Sequence, residues 1–99
     1  MRLPTLSTKE SLILELLAGA REMYGLELVA ASSGALKRGT VYVTLGRMED
    51  KGYITSRLEE APPVAGGLPR RLYVPTPLGR EVLRAWTTAA ARFRMRFAR

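Results

Sequence analysis

The sequence predicts an α+β domain in which three short helices precede a two-stranded β-hairpin and one long helix closes the chain. Three observations carry that prediction. Apolar residues recur at helical spacing in four stretches, two β-prone runs flank a Pro/Gly-rich segment, and capping or stop residues stand where the helical stretches begin and end.

Taken in order, Ser7 followed by Glu10 has the form of a capping box, in which each side chain satisfies a backbone N–H at the helix start. Leu12, Ile13, Leu16, Leu17 and Ala20 then repeat at helical spacing, so the first helix is predicted from about Thr8 to Ala20. A short second helix, with Leu26, Leu28, Val29 and Ala30, fits between Gly25 and the Ser32-Ser33-Gly34 breaker. Ala35, Leu36 and Lys37 are expected to form a brief strand. The third helix starts at Thr40; Val41, Leu45 and Met48 give it a narrow buried stripe, and Gly52 is a natural C-terminal stop. Gly46 inside it costs helix stability, which points to close packing.

Tyr53 to Glu60 and Arg70 to Val74 read as the strands of a hairpin, with Ala61 to Pro69 as its loop and Gly66-Gly67 supplying turn freedom. Thr76-Pro77 has the form of an N-cap followed by proline at the first helical position, and the last helix runs from there nearly to the end. This is the order of a winged helix-turn-helix with an added C-terminal dimerisation helix. Residues 1–75 are assigned to the first part and 76–99 to the second, within one compact unit.

Composition narrows the function. The chain has 99 residues, 46% of them hydrophobic and 25% charged, as in a folded soluble domain with no room for a separate ligand-binding domain. Its net charge is +7, and the excess lies in residues 37 to 99, a distribution suited to a polyanion such as nucleic acid. With neither cysteine nor histidine, the chain excludes disulfides, thiol nucleophiles, Ser-His-Asp chemistry and Cys/His zinc sites. The acidic doublets Glu49-Asp50 and Glu59-Glu60 are sequence neighbours that point apart on a helix or strand, so they make a poor catalytic pair. No enzyme activity, cofactor or metal is expected. Arg2, Lys9 and Glu10 break the N-terminal apolar run, which therefore reads as neither signal peptide nor membrane span and points to a cytoplasmic protein.

The outer face of the third helix suits a major groove. At 100° per residue, Thr40, Val43, Thr44, Arg47 and Lys51 lie opposite the buried stripe. Arginine can bridge the guanine acceptors, threonine can bond a base edge or a phosphate, and valine can touch the thymine methyl. Lys37 and Arg38 precede this helix, and Arg57, Arg70 and Arg71 flank the hairpin loop, where a wing can reach phosphates or a minor groove. The last helix carries Leu78, Val82, Trp86, Ala89, Phe93 and Phe97 as an apolar stripe about 30 Å long. Its own domain can hide the first half; the far end calls for a second copy. A membrane-lying helix is disfavoured because Arg96 falls on the apolar side.

Four stretches resemble the PadR group of bacterial regulators. They are Tyr24-Gly25-Leu26-Glu27-Leu28, Gly39-Thr40-Val41-Tyr42, the run LGRMEDKGYI from Leu45 to Ile54, and Arg71-Leu72-Tyr73-Val74-Pro75-Thr76-Pro77-Leu78-Gly79-Arg80, so the resemblance covers about Thr8 to Trp86. It implies a homodimeric repressor whose recognition helices enter successive major grooves of a palindromic double-stranded operator, with release by small molecules in some members. By motif, Thr40, Tyr42, Thr44 and Arg47 become the reading residues. Val43 departs from the polar or basic residue often found there, and the last helix is short for the family, without a full ligand-binding C-terminal region. The similarity also makes Trp86 a candidate contact for a planar aromatic effector; its ordinary alternative is to fill the core between the last helix and the first. The competing function is a winged helix that recruits an acidic protein partner without specific DNA binding.

Overall fold

The computed structural model describes residues 6–20, 22–59 and 69–97, without the side chain of residue 97. Its elements are α1 (Thr8–Gly19), β1 (Met23–Tyr24), α2 (Gly25–Ala31), α3 (Val41–Asp50), β2 (Ile54–Leu58), β3 (Arg71–Pro75) and α4 (Pro77–Phe97). The strands form one antiparallel sheet in the order β1-β3-β2, with Ser56 opposite Tyr73 and Met23 opposite the other edge of Tyr73. The predicted α+β winged helix-turn-helix with an added C-terminal helix is the fold observed. The Ala61 to Leu68 part of the predicted loop, with its Gly66-Gly67 turn, lies outside the described residues.

The helix ends follow the sequence signals. The Glu10 amide donates to Ser7 Oγ at 3.1 Å and the Ser7 amide to Glu10 Oε1 at 2.9 Å, completing the capping box. Gly52 ends α3 in the left-handed region, at φ +80°, where a side chain is strained. The predicted strand at Ala35 to Lys37 is absent. Ser33 at φ +53° and Gly34 at φ +89° fold this stretch into a turn, and Ser32 Oγ accepts the Leu36 amide at 2.9 Å, turning Leu36 into the core. The third strand comes from Met23–Tyr24 instead, between α1 and α2.

The core draws Ile13, Leu14 and Leu17 from α1, Leu28 from α2, and Val41, Leu45 and Met48 from α3. These seven side chains are sealed from solvent. Each contributes about 1.5–3 kcal/mol on burial, against roughly 0–1 for an exposed ion pair, so apolar packing sets the position of α3. Val82 requires a correction: read as part of the dimer-facing stripe, it is 4% exposed in the chain's own core, with Leu83 packed beside it, while Leu78 stays half open. The domain covers the start of α4 along the line of Gly79, Val82 and Leu83 because Gly79 lets that edge of the helix approach closest.

That approach is tight. A Cβ on Gly79 would stand 2.0 Å from the Tyr53 carbonyl oxygen. The same oxygen accepts the Thr76 amide at 3.0 Å, while Thr76 Oγ1 donates to the Gly52 carbonyl at 2.6 Å and accepts the Gly79 amide at 3.0 Å. Thr76 is thus the N-cap that the sequence predicted and also the clasp holding α4 to the end of α3. On the opposite side, Lys51 Nζ pairs with the buried Glu10 carboxylate at 2.7 Å, tying the end of α3 to the start of α1. Burial alone would raise the Glu10 pKa; bonds from Lys51 and from the Ser7 amide and hydroxyl outweigh it and hold the carboxyl below its ordinary value.

Two outcomes follow. Gly79→Ala should lower stability by about 3 kcal/mol, read from the urea midpoint, because backbone rather than a flexible side chain blocks the new methyl. Lys51→Ala should cost about 1–2 kcal/mol at pH 7, the exposed Lys51 end keeping the loss modest. A depressed folded pKa stabilises above the ordinary carboxylate range and stops doing so as pH falls through the folded value. The gap between Lys51→Ala and wild type should therefore close below about pH 4; an equal gap at pH 7 and pH 3 would show that only packing was lost.

Candidate nucleic-acid interface

Packing Val41, Leu45 and Met48 inward leaves the opposite side of α3 in solvent. Tyr42 is 50% and Val43 58% exposed; Gly46, Arg47 and Asp50 are exposed as well, with Thr44 half-buried and Thr40 exposed at the N-cap. A groove runs along each flank of this ridge. One, of about 580 Å³, lies between Thr40, Val43, Thr44 and Arg47 and the start of α1 at Ser7, Thr8 and Lys9. The other, of about 700 Å³, lies between Tyr42, the start of α2 and the base of the hairpin at Leu58, Arg70 and Arg71. Tyr42 is held over Gly25, where a Cβ would stand 2.6 Å from its ring. Gly25 therefore fixes where the tyrosine lies.

Gly46 does not serve close packing. A Cβ there would meet nothing within 4 Å, so the expectation of a tight neighbour inside the chain is overturned. At about 1 kcal/mol below alanine in helix propensity, it weakens α3 with no return from the fold.

The hairpin arginines come together at the wing base, each with a partner. Arg57 pairs with Glu22 at 2.6 Å, Arg70 with Glu59 at 3.5 Å, and Arg71 donates to Ser56 Oγ at 3.0 Å, which in turn donates to Glu49 Oε2 at 2.9 Å. The Arg70 guanidinium also stacks 4.1 Å from the Tyr24 ring centre, and the Tyr24 hydroxyl donates to Glu59, whose bond raises the phenol's pKa. Lys37, Arg38 and Arg47 enter no ion pair among the described residues, whereas Lys51 is committed to Glu10. The sequence marks Glu59 only as half of an acidic doublet and Tyr24 only as part of a family-like stretch, and it gives no sign of Glu22 as a partner of the wing arginines. Glu59 was within reach, since its amide donates to the Arg70 carbonyl across the hairpin at 2.7 Å; Glu22 was not, because β1 gave no pattern.

Past Val82 and Leu83, α4 leaves the body, and the long dimension of the molecule reaches 56 Å against 28 and 21 Å. Trp86 at 38%, Phe93 at 65% and Met95 at 81% are exposed, and Ala89 lies open between Trp86 and Phe93. Trp86 therefore does not fill the core between α4 and α1. The Phe97 side chain lies outside the described residues. No helix among the described residues is long and apolar enough to cross a membrane.

The sequence matches the family of PadR-like transcriptional regulators over residues 13–85, from the middle of α1 into α4. Among solved structures, a PadR family transcription regulator from Clostridium difficile is 28% identical, with a TM-score of 0.71 over 92% of this chain and 98% of that one. A protein of Streptococcus mutans is 25% identical, at TM-score 0.71 over 88% of this chain and 79% of that one. PadR of Bacillus subtilis, solved in complex with operator DNA, shares the fold at 22% identity and TM-score 0.73, over 84% of this chain and 48% of that one. No curated protein matches the chain by sequence. The family consists of transcriptional regulators, not enzymes, and with the match spanning both α3 and the hairpin, this chain belongs to the PadR-like family of transcriptional regulators.

Proposed function

We propose that the chain is a homodimeric repressor that reads a palindromic operator in duplex DNA through α3. The observation that carries this reading is the outward face of α3, where Thr40, Val43 and Arg47 are exposed and Thr44 half-buried between them, beside a hairpin edged with arginines. Hydroxyl, methyl and guanidinium groups on one exposed helix face supply both hydrogen bonds and apolar contacts to base edges. Lys37, Arg38, Arg57, Arg70 and Arg71 then act on phosphates, and the wing arginines exchange a carboxylate or hydroxyl partner for a phosphate. The Bacillus subtilis relative, solved with operator DNA, supports the reading. A recruiter of acidic proteins would need the charge alone and no ordered ridge of mixed chemistry.

Arg47→Ala should weaken operator binding by about 1–3 kcal/mol and relax discrimination at one base pair of each half-site, whereas Arg71→Ala should weaken all duplexes alike and flatten the salt slope. Gel shifts across a salt titration read both. Equal affinity for operator and random DNA at every salt concentration would favour the protein-recruiting alternative.

The dimer is joined through α4, which extends past its own domain and carries Trp86, Ala89 and Phe93 on solvent-exposed positions. A second copy crossing there sets two α3 helices on successive major grooves. Phe93→Asp should convert a dimer into a monomer by light scattering at roughly tens of micromolar; a monomeric wild type would overturn the assignment. Trp86 in that interface is positioned to stack a planar aromatic effector. Such compounds should quench its fluorescence saturably and weaken operator binding in parallel, since a ligand preferring the DNA-incompetent dimer shifts that equilibrium.

A further inference from the structure

Four glycines of this fold have a reason inside the chain: Gly34 and Gly52 take a positive φ, Gly25 makes room for the Tyr42 ring, and Gly79 makes room for the Tyr53 carbonyl. Gly46 has none. It is exposed in the middle of α3 with no positive φ, and a Cβ there would face open space. A residue that loosens a helix while serving nothing within it points to something outside that approaches the backbone closely.

The neighbours on the same face define what that is. Positions three and four away are Tyr42 and Val43 toward the N-terminus, and Glu49 and Asp50 toward the C-terminus. Two carboxylates beside the gap disfavour a phosphate, which carries the same sign of charge. Beside the exposed Val43 side chain, the missing Cβ leaves open space over the α3 backbone. In the major groove the apolar group that projects from a base edge is the thymine 5-methyl.

We propose that Gly46 is a specificity-determining position of the recognition helix, and that the thymine methyl of one base pair in each half-site seats against the α3 backbone there, with Val43 as its side wall. The inference rests on the proposal that α3 reads DNA. It separates fold stability from recognition, because one methyl group at this site acts on the two in opposite directions.

The test uses the full chain, with an operator selected beforehand from random duplexes by the wild type. Gly46→Ala should melt about 4–8 °C above the wild type, since alanine strengthens an exposed helix position, and should bind the operator at least about tenfold more weakly. Replacing thymine by deoxyuridine, position by position, should reveal one site per half-site where loss of the methyl weakens the wild type about fourfold and leaves Gly46→Ala unaffected. Gly19→Ala, at the exposed end of α1 with open space around it, should leave operator binding unchanged. A Gly46→Ala chain that melts higher and binds as tightly as the wild type overturns the inference, as does a uridine scan that costs both proteins the same. A wild type that does not prefer operator over random duplex overturns the DNA-reading proposal itself, and the seat with it.

Discussion

The contact of Gly79 with the Tyr53 carbonyl oxygen is the constraint on which the arrangement depends. Four segments meet within a few residues of it: the end of α3 at Gly52, the start of β2 after Tyr53, the end of β3 before Thr76, and the first turn of α4. Thr76 closes the joint through both its amide and its hydroxyl. The Thr76 amide bond and the Gly79 approach are both to the Tyr53 backbone carbonyl, so they leave little room for α4 to change its tilt relative to α3. In a dimer joined through α4, that tilt becomes the separation and orientation of two reading helices. Under the proposed function, a signal received on the far part of α4 would reach α3 through a joint with little slack, which is the mechanical condition for coupling an interface to a distant DNA contact.

Electrostatics follows a different logic from packing here. The wing arginines are paired, yet Arg57 and Arg70 are largely open to water, and exposed pairs contribute only about 0–1 kcal/mol each. The hairpin does not need them to hold its shape, because the five-residue register of β2 with β3 and the burial of Leu72 and Tyr73 do that. Exchanging Glu22 or Glu59 for a phosphate therefore costs little and leaves the strands in place. Glu10 and Lys51 are the contrasting case: one end of that pair is buried, it shares the capping box, and it joins two helices. Charge at the edge of the sheet is free to serve a polyanion, while charge at the α1–α3 contact is structural.

Much of this was legible in the sequence, for identifiable reasons. The Ser7–Glu10 box, the Gly52 stop and the Thr76 cap are local devices whose chemistry is complete within a few residues, and all three appear as read. The α3 stripe was legible because three apolar residues at one spacing leave a single way to bury them. β1 was not, since two residues carry no period and Met23–Tyr24 pairs only because β3 presents an open edge. The face of α4 was misjudged for a related reason. Periodicity ranked Leu78 and Val82 together by hydrophobicity, whereas the packing is decided by Gly79, whose importance is an absence of atoms. Gly46 was misread in the opposite sense, for sequence shows that a side chain is missing and not whether anything stands near the gap.

These two glycines mark the division of labour in the molecule. At Gly79 the space is filled by the chain's own backbone, and the fold is built around it. At Gly46, two turns from that joint along the same connected unit, the space is open and faces the side on which Val43 and Arg47 project. On the proposed reading the rigid joint makes the open position usable, because a helix that approaches a base edge to within the depth of one missing methyl must be held without play. Core burial of Val41, Leu45 and Met48, the Glu10–Lys51 tie on one side and the Gly52–Thr76 clasp on the other supply that holding. α3 can therefore forgo about 1 kcal/mol of its own helical stability at the contact face, since its place is determined from the three other directions.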